Sequence, residues 1–339
     1  MDWFFISPFS INVLNVSLLL AFMIYFLVRI ENKSQATKYL IFSLSGVVLV
    51  FLSFFVIFSS LSARHSTLFW WVLHLVVFSM IAMVQFAYHF PENLHPRESK
   101  IALVVCTVLS ALVYPYYILK SLSMEPVYFF EGYSYVFLHI PHIGMLIGLE
   151  IVWIIALFYR KGVAFSDYQY SGPLNRWSPE PGQPFEAKHV IGWFTGLLVG
   201  LMRIFKAKDK RARAIRNLLL IFFFPIILIL FIVMSYEGIV PWEISAHIIG
   251  SGFMVVAFIF VIVYINASAE PSTFMIKLIG ISLGTTLIVL GFASNVALLV
   301  KDSEYEKRRL ADVDQYQRVV LKNDFLIVPD MSSLYCRSL

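Results

Sequence analysis

An all-α, polytopic membrane bundle is the fold class this sequence predicts, and three observations carry it. Of 339 residues, 59% are apolar and only 14% are charged, with 32 Phe and a mean hydropathy of +0.79. A soluble domain carries about 25% charged residues, so a soluble enzyme and a disordered chain are both excluded. The apolar residues fall into eight runs long enough to cross a hydrocarbon core of roughly 30 Å as helix. Finally, 17 of the 26 cations fall in or beside every second connection between those runs, whereas the intervening connections hold two, Arg64 and Lys120.

The eight runs are 11–30, 38–59, 68–90, 101–119, 134–159, 217–235, 242–265 and 273–300. The start, Met1-Asp2-Trp3-Phe4, has no basic region before the apolar run and no cleavage pattern before Arg29, so it reads as a span and not a signal peptide. The cation asymmetry places the odd-numbered connections in the cytoplasm and the N-terminus outside a cell inner membrane. With eight spans the tail 301–339 is also outside, although it carries seven cations. Trp3, Trp70, Trp71 and Trp242 mark the outer boundary, and Trp153 and Trp193 the inner one. Pro115, Pro141 and Pro225 fall within spans and read as kinks.

Residues 1–300 thus form the bundle and 301–339 a polar tail that opens with an amphipathic helix through Leu310, Val313, Tyr316 and Val320. The connection 160–216 is the longest. Its segment 162–188 is rich in Pro, Gly and Ser, and 189–205 has too short an uninterrupted apolar stretch to span. That segment is expected to be an interfacial helix on the cytoplasmic face, with a ninth span, which would put the cations 206–216 outside, as the alternative. Arg203, Lys206, Lys208, Lys210, Arg211, Arg213 and Arg216, with Asp209 as their single acid, are expected to meet anionic lipid headgroups and anchor the topology. Gly192, Gly196 and Gly200 at i, i+4 spacing are compatible with close helix packing.

Ionisable groups inside spans mark function by default. At the outer side, depth alone brings His74, His139, His142, Glu243 and His247 together, with His65 in the adjoining loop. Imidazole suits a transition metal or haem, or a pocket for a proton or ligand. The same residues also serve as helix-mouth groups bonded to neighbours or water, so no cofactor is predicted. At the inner side, Glu150 and Lys277 are expected at similar depth, as an ion pair joining spans 5 and 8. The alternative has Lys277 reaching the headgroups and Glu150 neutral or facing Gln85 or His89. Cys106 and Cys336 make no disulfide framework. No nucleotide-binding loop, zinc-protease motif or nucleophile elbow occurs, and the tail's cations interleave with acids, which excludes a nucleic-acid surface.

Three stretches carry a resemblance: Gln85-Phe86-Ala87-Tyr88-His89-Phe90-Pro91, Lys210-Arg211-Ala212-Arg213-Ala214-Ile215-Arg216-Asn217-Leu218-Leu219-Leu220, and Pro271-Ser272-Thr273-Phe274-Met275-Ile276-Lys277-Leu278-Ile279-Gly280-Ile281-Ser282-Leu283. Together they resemble the multi-pass N-terminal sensor module of spirochaete-type signalling proteins. There the module precedes a cyclase, a histidine kinase or a SpoIIE-like phosphatase. The stretch from Leu326 to Leu339 resembles the extracytoplasmic segment after the module's last helix. None of these motifs is catalytic. The resemblance implies a sensory, signal-transducing module without its own active site, with the bilayer and an output partner or a second copy as its partners. The chain departs from the pattern in ending at Leu339 without an output domain. A transporter or channel is the alternative, and a membrane-embedded transferase a third reading.

Overall fold

The computed structural model describes residues 8–59, 69, 71–72, 75–123, 127–128, 135–136, 141–168, 187–236, 239–240, 242–267, 280–293 and 296. Nine helices run through them. They are α1 (Pro8–Val28), α2 (Gln35–Ser59), α3 (Val76–His89), α4 (Pro96–Ser123), α5 (Pro141–Ala164), α6 (Ala187–Lys206), α7 (Lys210–Tyr236), α8 (Trp242–Ala267) and α9 (Gly280–Ala293). A two-stranded antiparallel ribbon, β1 (Val127–Tyr128) and β2 (Tyr135–Val136), precedes α5. The chain is a membrane protein. Within α2, α4 and α8 lie three segments, Gln35–Ile57, Pro96–Leu119 and Gly250–Ala267, that are long and apolar enough to cross a bilayer.

The ribbon corrects the expected fifth span. It does not begin at 134, because Tyr135 and Val136 pair with Tyr128 and Val127; the helix starts at Pro141 and runs on to Ala164. Proline suits that first position, since its missing N–H would have no helical partner anyway. Pro8 and Pro96 open α1 and α4 in the same way, whereas Pro115 lies inside α4. The basic run from Lys210 to Arg216 is not a separate linker but the first two turns of α7. The expected interfacial segment is a continuous 20-residue helix, α6.

Helix ends follow local chemistry. Ser34 caps α2, its Oγ accepting the Thr37 N–H at 3.2 Å. Just before it, Asn32 adopts a left-handed backbone (φ 51°) that tightens the α1–α2 turn. Asp209 caps α7, its Oδ1 accepting from the Arg211 and Ala212 amides at 2.6 and 3.3 Å. Hydroxyls inside the helices bond back one turn, as Ser17 does to the Val13 carbonyl and Ser53 to that of Leu49, so no partner is needed from lipid.

Six helices close a ring in which each packs on the next: α3, α2, α1, α8, α7, α5 and back to α3. Outside it, α4 packs on α3, and α6 sits in the angle of α5 and α7. On the α1–α8 side, Gly280 of α9 lies against Phe26 and Gly284 against Phe258, where any side chain would collide. A similar close approach joins α2 to α3, where a methyl added at Gly46 would collide with Ser79 Oγ. The ring's core is aromatic. Phe86 of α3 meets Phe90, Phe158, Phe260 and Tyr264 at centroid distances of 5.4, 6.3, 5.7 and 5.4 Å. The outward faces stay apolar and open, α4 most of all, with Ile101, Val104, Leu112 and Leu119 exposed. That inverted dressing is what lipid, and not water, would solvate.

Candidate functional site: a polar cluster at one end of the ring

The segments 29–34, 90–95 and 165–168, together with the elbow 207–209, gather at one end of the ring, called here the polar end. Contacts across this end fix the grouping. Thr37 at the start of α2 bonds Tyr264 near the end of α8 at 2.6 Å, and Arg211 at the start of α7 reaches Glu92 just past α3.

Lys161 is the centre. It lies in the last turn of α5 and is 1% exposed. Its Nζ donates to the carbonyls of Ala87, Tyr88 and Phe90 at 2.8, 2.5 and 2.8 Å. A helix C-terminus leaves its last carbonyls without amide partners and carries negative partial charge. The ammonium therefore fills a cap that α3 lacks, and all three of its protons are used. The three carbonyls and the negative end of α3 favour the ammonium form.

A second layer surrounds it. Tyr88 Oη accepts from Trp153 Nε1 at 3.2 Å and donates to Glu98 Oε1 at 2.9 Å. Arg160 grips the same carboxylate, Nη1 to Oε1 at 3.0 Å and Nη2 to Oε2 at 3.4 Å, and also meets His95 Nε2 at 3.2 Å. The Glu98 carboxylate thus accepts from Tyr88 and from both Arg160 terminal nitrogens, which leaves it well matched in charge and hydrogen bonds. Gln85 and Ser99 pair reciprocally between α3 and α4. Gln85 Nε2 donates to the Ser99 carbonyl at 3.0 Å, and Ser99 Oγ donates to Gln85 Oε1 at 2.8 Å. Arg211 stacks on Phe165 at 4.5 Å and bonds Glu92 at 3.2 Å. The Asp209 carboxyl is held low, slight burial being outweighed by the Arg211 amide and side chain and the Ala212 amide.

The residues singled out from sequence fare differently. Glu150 is buried, 8% exposed, and its Oε2 has no hydrogen-bond partner among the described residues. With α5 starting at Pro141, Glu150 sits mid-helix, roughly 16 Å from Lys161 along the axis at 1.5 Å per residue, and so farther from the polar end than the run 134–159 implied. Neither Gln85 nor His89 serves it. Gln85 is committed to Ser99, and His89 Nδ1 donates to the Gln85 carbonyl at 2.8 Å. Lys277, His74 and His139 lie outside the described residues, as does the tail 301–339. His142 lies in α5, and Glu243 and His247 lie one turn apart in α8, but their side chains fall outside the described portion. Among the described residues no group of three His, Cys, Asp or Glu could hold a metal.

Of the seven basic residues expected at headgroups, three are committed to protein. Arg203 donates to the Tyr168 carbonyl, Arg216 to the Phe205 carbonyl, and Arg211 to Glu92. Lys206 lies over the Tyr168 ring, whereas Lys208, Lys210 and Arg213 are exposed without side-chain partners among the described residues. Of the glycine stripe, Gly200 takes the Tyr159 ring, and the Tyr159 hydroxyl donates to the Gly196 and Leu197 carbonyls.

Sequence reasoning passed over Lys161, counting it only among the loop cations. Its signal was local: a lysine followed by Gly162-Val163-Ala164-Phe165, with no acid nearby in sequence, is poorly dressed for water. No family model matches the chain, and no curated protein or solved structure does either.

Proposed function

We propose that the chain is a sensory, signal-transducing module of the cell inner membrane, with eight spans, the polar end in the cytoplasm and both the N-terminus and the tail outside. It has no active site of its own. A small ligand, lipid or membrane state shifts helix packing, and the shift passes to an output domain or partner chain, or to a second copy. One observation carries the reading. The polar cluster ties α3, α4, α5 and α7 together at a single end through groups that are bonded to one another. Such a cluster suits a coupling element, since packed interfaces switch between discrete arrangements.

The test is fusion of the chain to a cyclase reporter. Arg160→Ala and Lys161→Met should change basal output at equal membrane abundance, and reconstituted protein should show no solute flux. Unchanged output in both variants would sink the proposal. The transporter reading draws on the unpartnered Glu150 oxygen. It requires flux in proteoliposomes that Glu150→Gln abolishes.

A further inference from the structure

Among the described residues, α6 meets α5 over the last turns of α5. Gly200 takes Tyr159, Ile204 packs on Gly162, and Ser166 Oγ donates to the Arg203 carbonyl. One and two turns back along α5, Ala156 and Val152 are exposed, so α6 does not run up beside α5 but leaves the ring near its polar end. Its packed side is fixed by those contacts. Its other side presents Leu198, Met202 and Phe205, an exposed apolar stripe at i, i+4, i+7, with Leu197 beside it. Immediately after it come Lys206, Lys208, Lys210 and Arg213, all exposed, and the single acid among them, Asp209, is occupied in capping α7. The elbow then turns into α7, where Leu220, Phe223, Phe224 and Ile227 are exposed among the described residues.

We propose that this face of α6, with Lys208, Lys210 and Arg213, is a docking surface for the adjoining bilayer leaflet, where anionic headgroups meet the cations and acyl chains take the stripe. Two features name that occupant. The stripe is joined by the short elbow 207–209 to α7, whose exposed residues Leu220, Phe223, Phe224 and Ile227 are apolar as well. The charge beside it is uncommitted and of one sign, whereas Arg203, Arg211 and Arg216 are spent inside the protein. An apolar stripe edged by cations is how an interfacial helix binds. Each uncommitted cation strengthens docking on an anionic surface by a factor of about five. The inference rests on α7 crossing the membrane and does not depend on a signalling role.

The full chain carrying Cys106→Ser, Cys336→Ser and Met202→Cys, labelled with an environment-sensitive dye, is reconstituted in nanodiscs of phosphatidylcholine, with or without phosphatidylglycerol. The probe should be quenched by lipid-borne spin labels. Adding phosphatidylglycerol should raise that quenching and lower quenching by aqueous iodide. Lys208→Gln with Lys210→Gln and Arg213→Gln, leaving the Asp209 cap intact, should weaken docking roughly 100-fold and abolish the gain. A probe equally open to iodide in both discs overturns the proposal. So does a probe shielded only when two copies share a disc, which assigns the stripe to a second chain. A Phe205→Cys probe, one turn on, must give the same answer.

Discussion

Lys161 and Glu150 lie on the buried face of the same helix, three turns apart, and the structure treats them in opposite ways. Lys161 has every proton bonded and sits where α3 ends. Glu150 sits beside the middle of its neighbours, with one oxygen unpartnered among the described residues. The difference is positional. A helix interior uses all its carbonyls and amides internally and has none to offer a buried charge; a helix terminus has several. A buried ionisable group therefore stabilises the bundle only where a neighbouring helix stops.

The strongest way to break this comparison is Lys161→Met. It keeps the bulk, strips three carbonyls of their donor, and should destabilise the protein by roughly 3 kcal/mol, measured by denaturant titration in mixed micelles. A loss under about 1 kcal/mol would show that water or a rearranged loop replaces the ammonium easily. Next comes Ser99→Ala, which removes one half of a reciprocal pair and leaves Gln85 Oε1 buried. It should cost about 1–2 kcal/mol, and adding Gln85→Leu should recover part of that.

Smaller still is the Glu98–Arg160 bridge, half open to solvent and worth at most about 1 kcal/mol. Glu98→Gln should therefore lower the melting temperature less than Ser99→Ala does, and adding Arg160→Ala should cost little more. The smallest effect is expected from Glu150→Leu, neutral within about 1 kcal/mol because no bond is lost. If Glu150→Leu costs as much as Lys161→Met, the carboxylate has a strong partner outside the described residues. Lys277 is then the first to examine by charge reversal.

Much of the scaffold is readable in advance because its cause is length and hydropathy. The spans at 38–59, 101–119 and 242–265 lie within α2, α4 and α8, shifted by a few residues at their ends. Boundaries set by special chemistry are less readable. Pro141 reads as a kink inside a span because the apolar run extends back through Tyr135 and Val136, which pair as strand instead. The polar cluster is not readable at all. Its members are ordinary boundary residues whose meaning arises from pairings such as Tyr88 with Glu98 and Lys161 with the end of α3, and one sequence does not encode pairings as a pattern. Glu150 draws attention because a lone acid in an apolar run is visible, whereas Lys161, at the edge of its run, is absorbed into a count.

The aromatic core of the ring carries one more consequence. Phe86, Phe90, Phe158, Phe260 and Tyr264 are all buried, and the Phe86 ring meets each of the other four just inside the polar end. Packed rings of this kind offer an ion little that could replace its hydration shell. Conduction along the ring axis would require several of these rings to swing aside together.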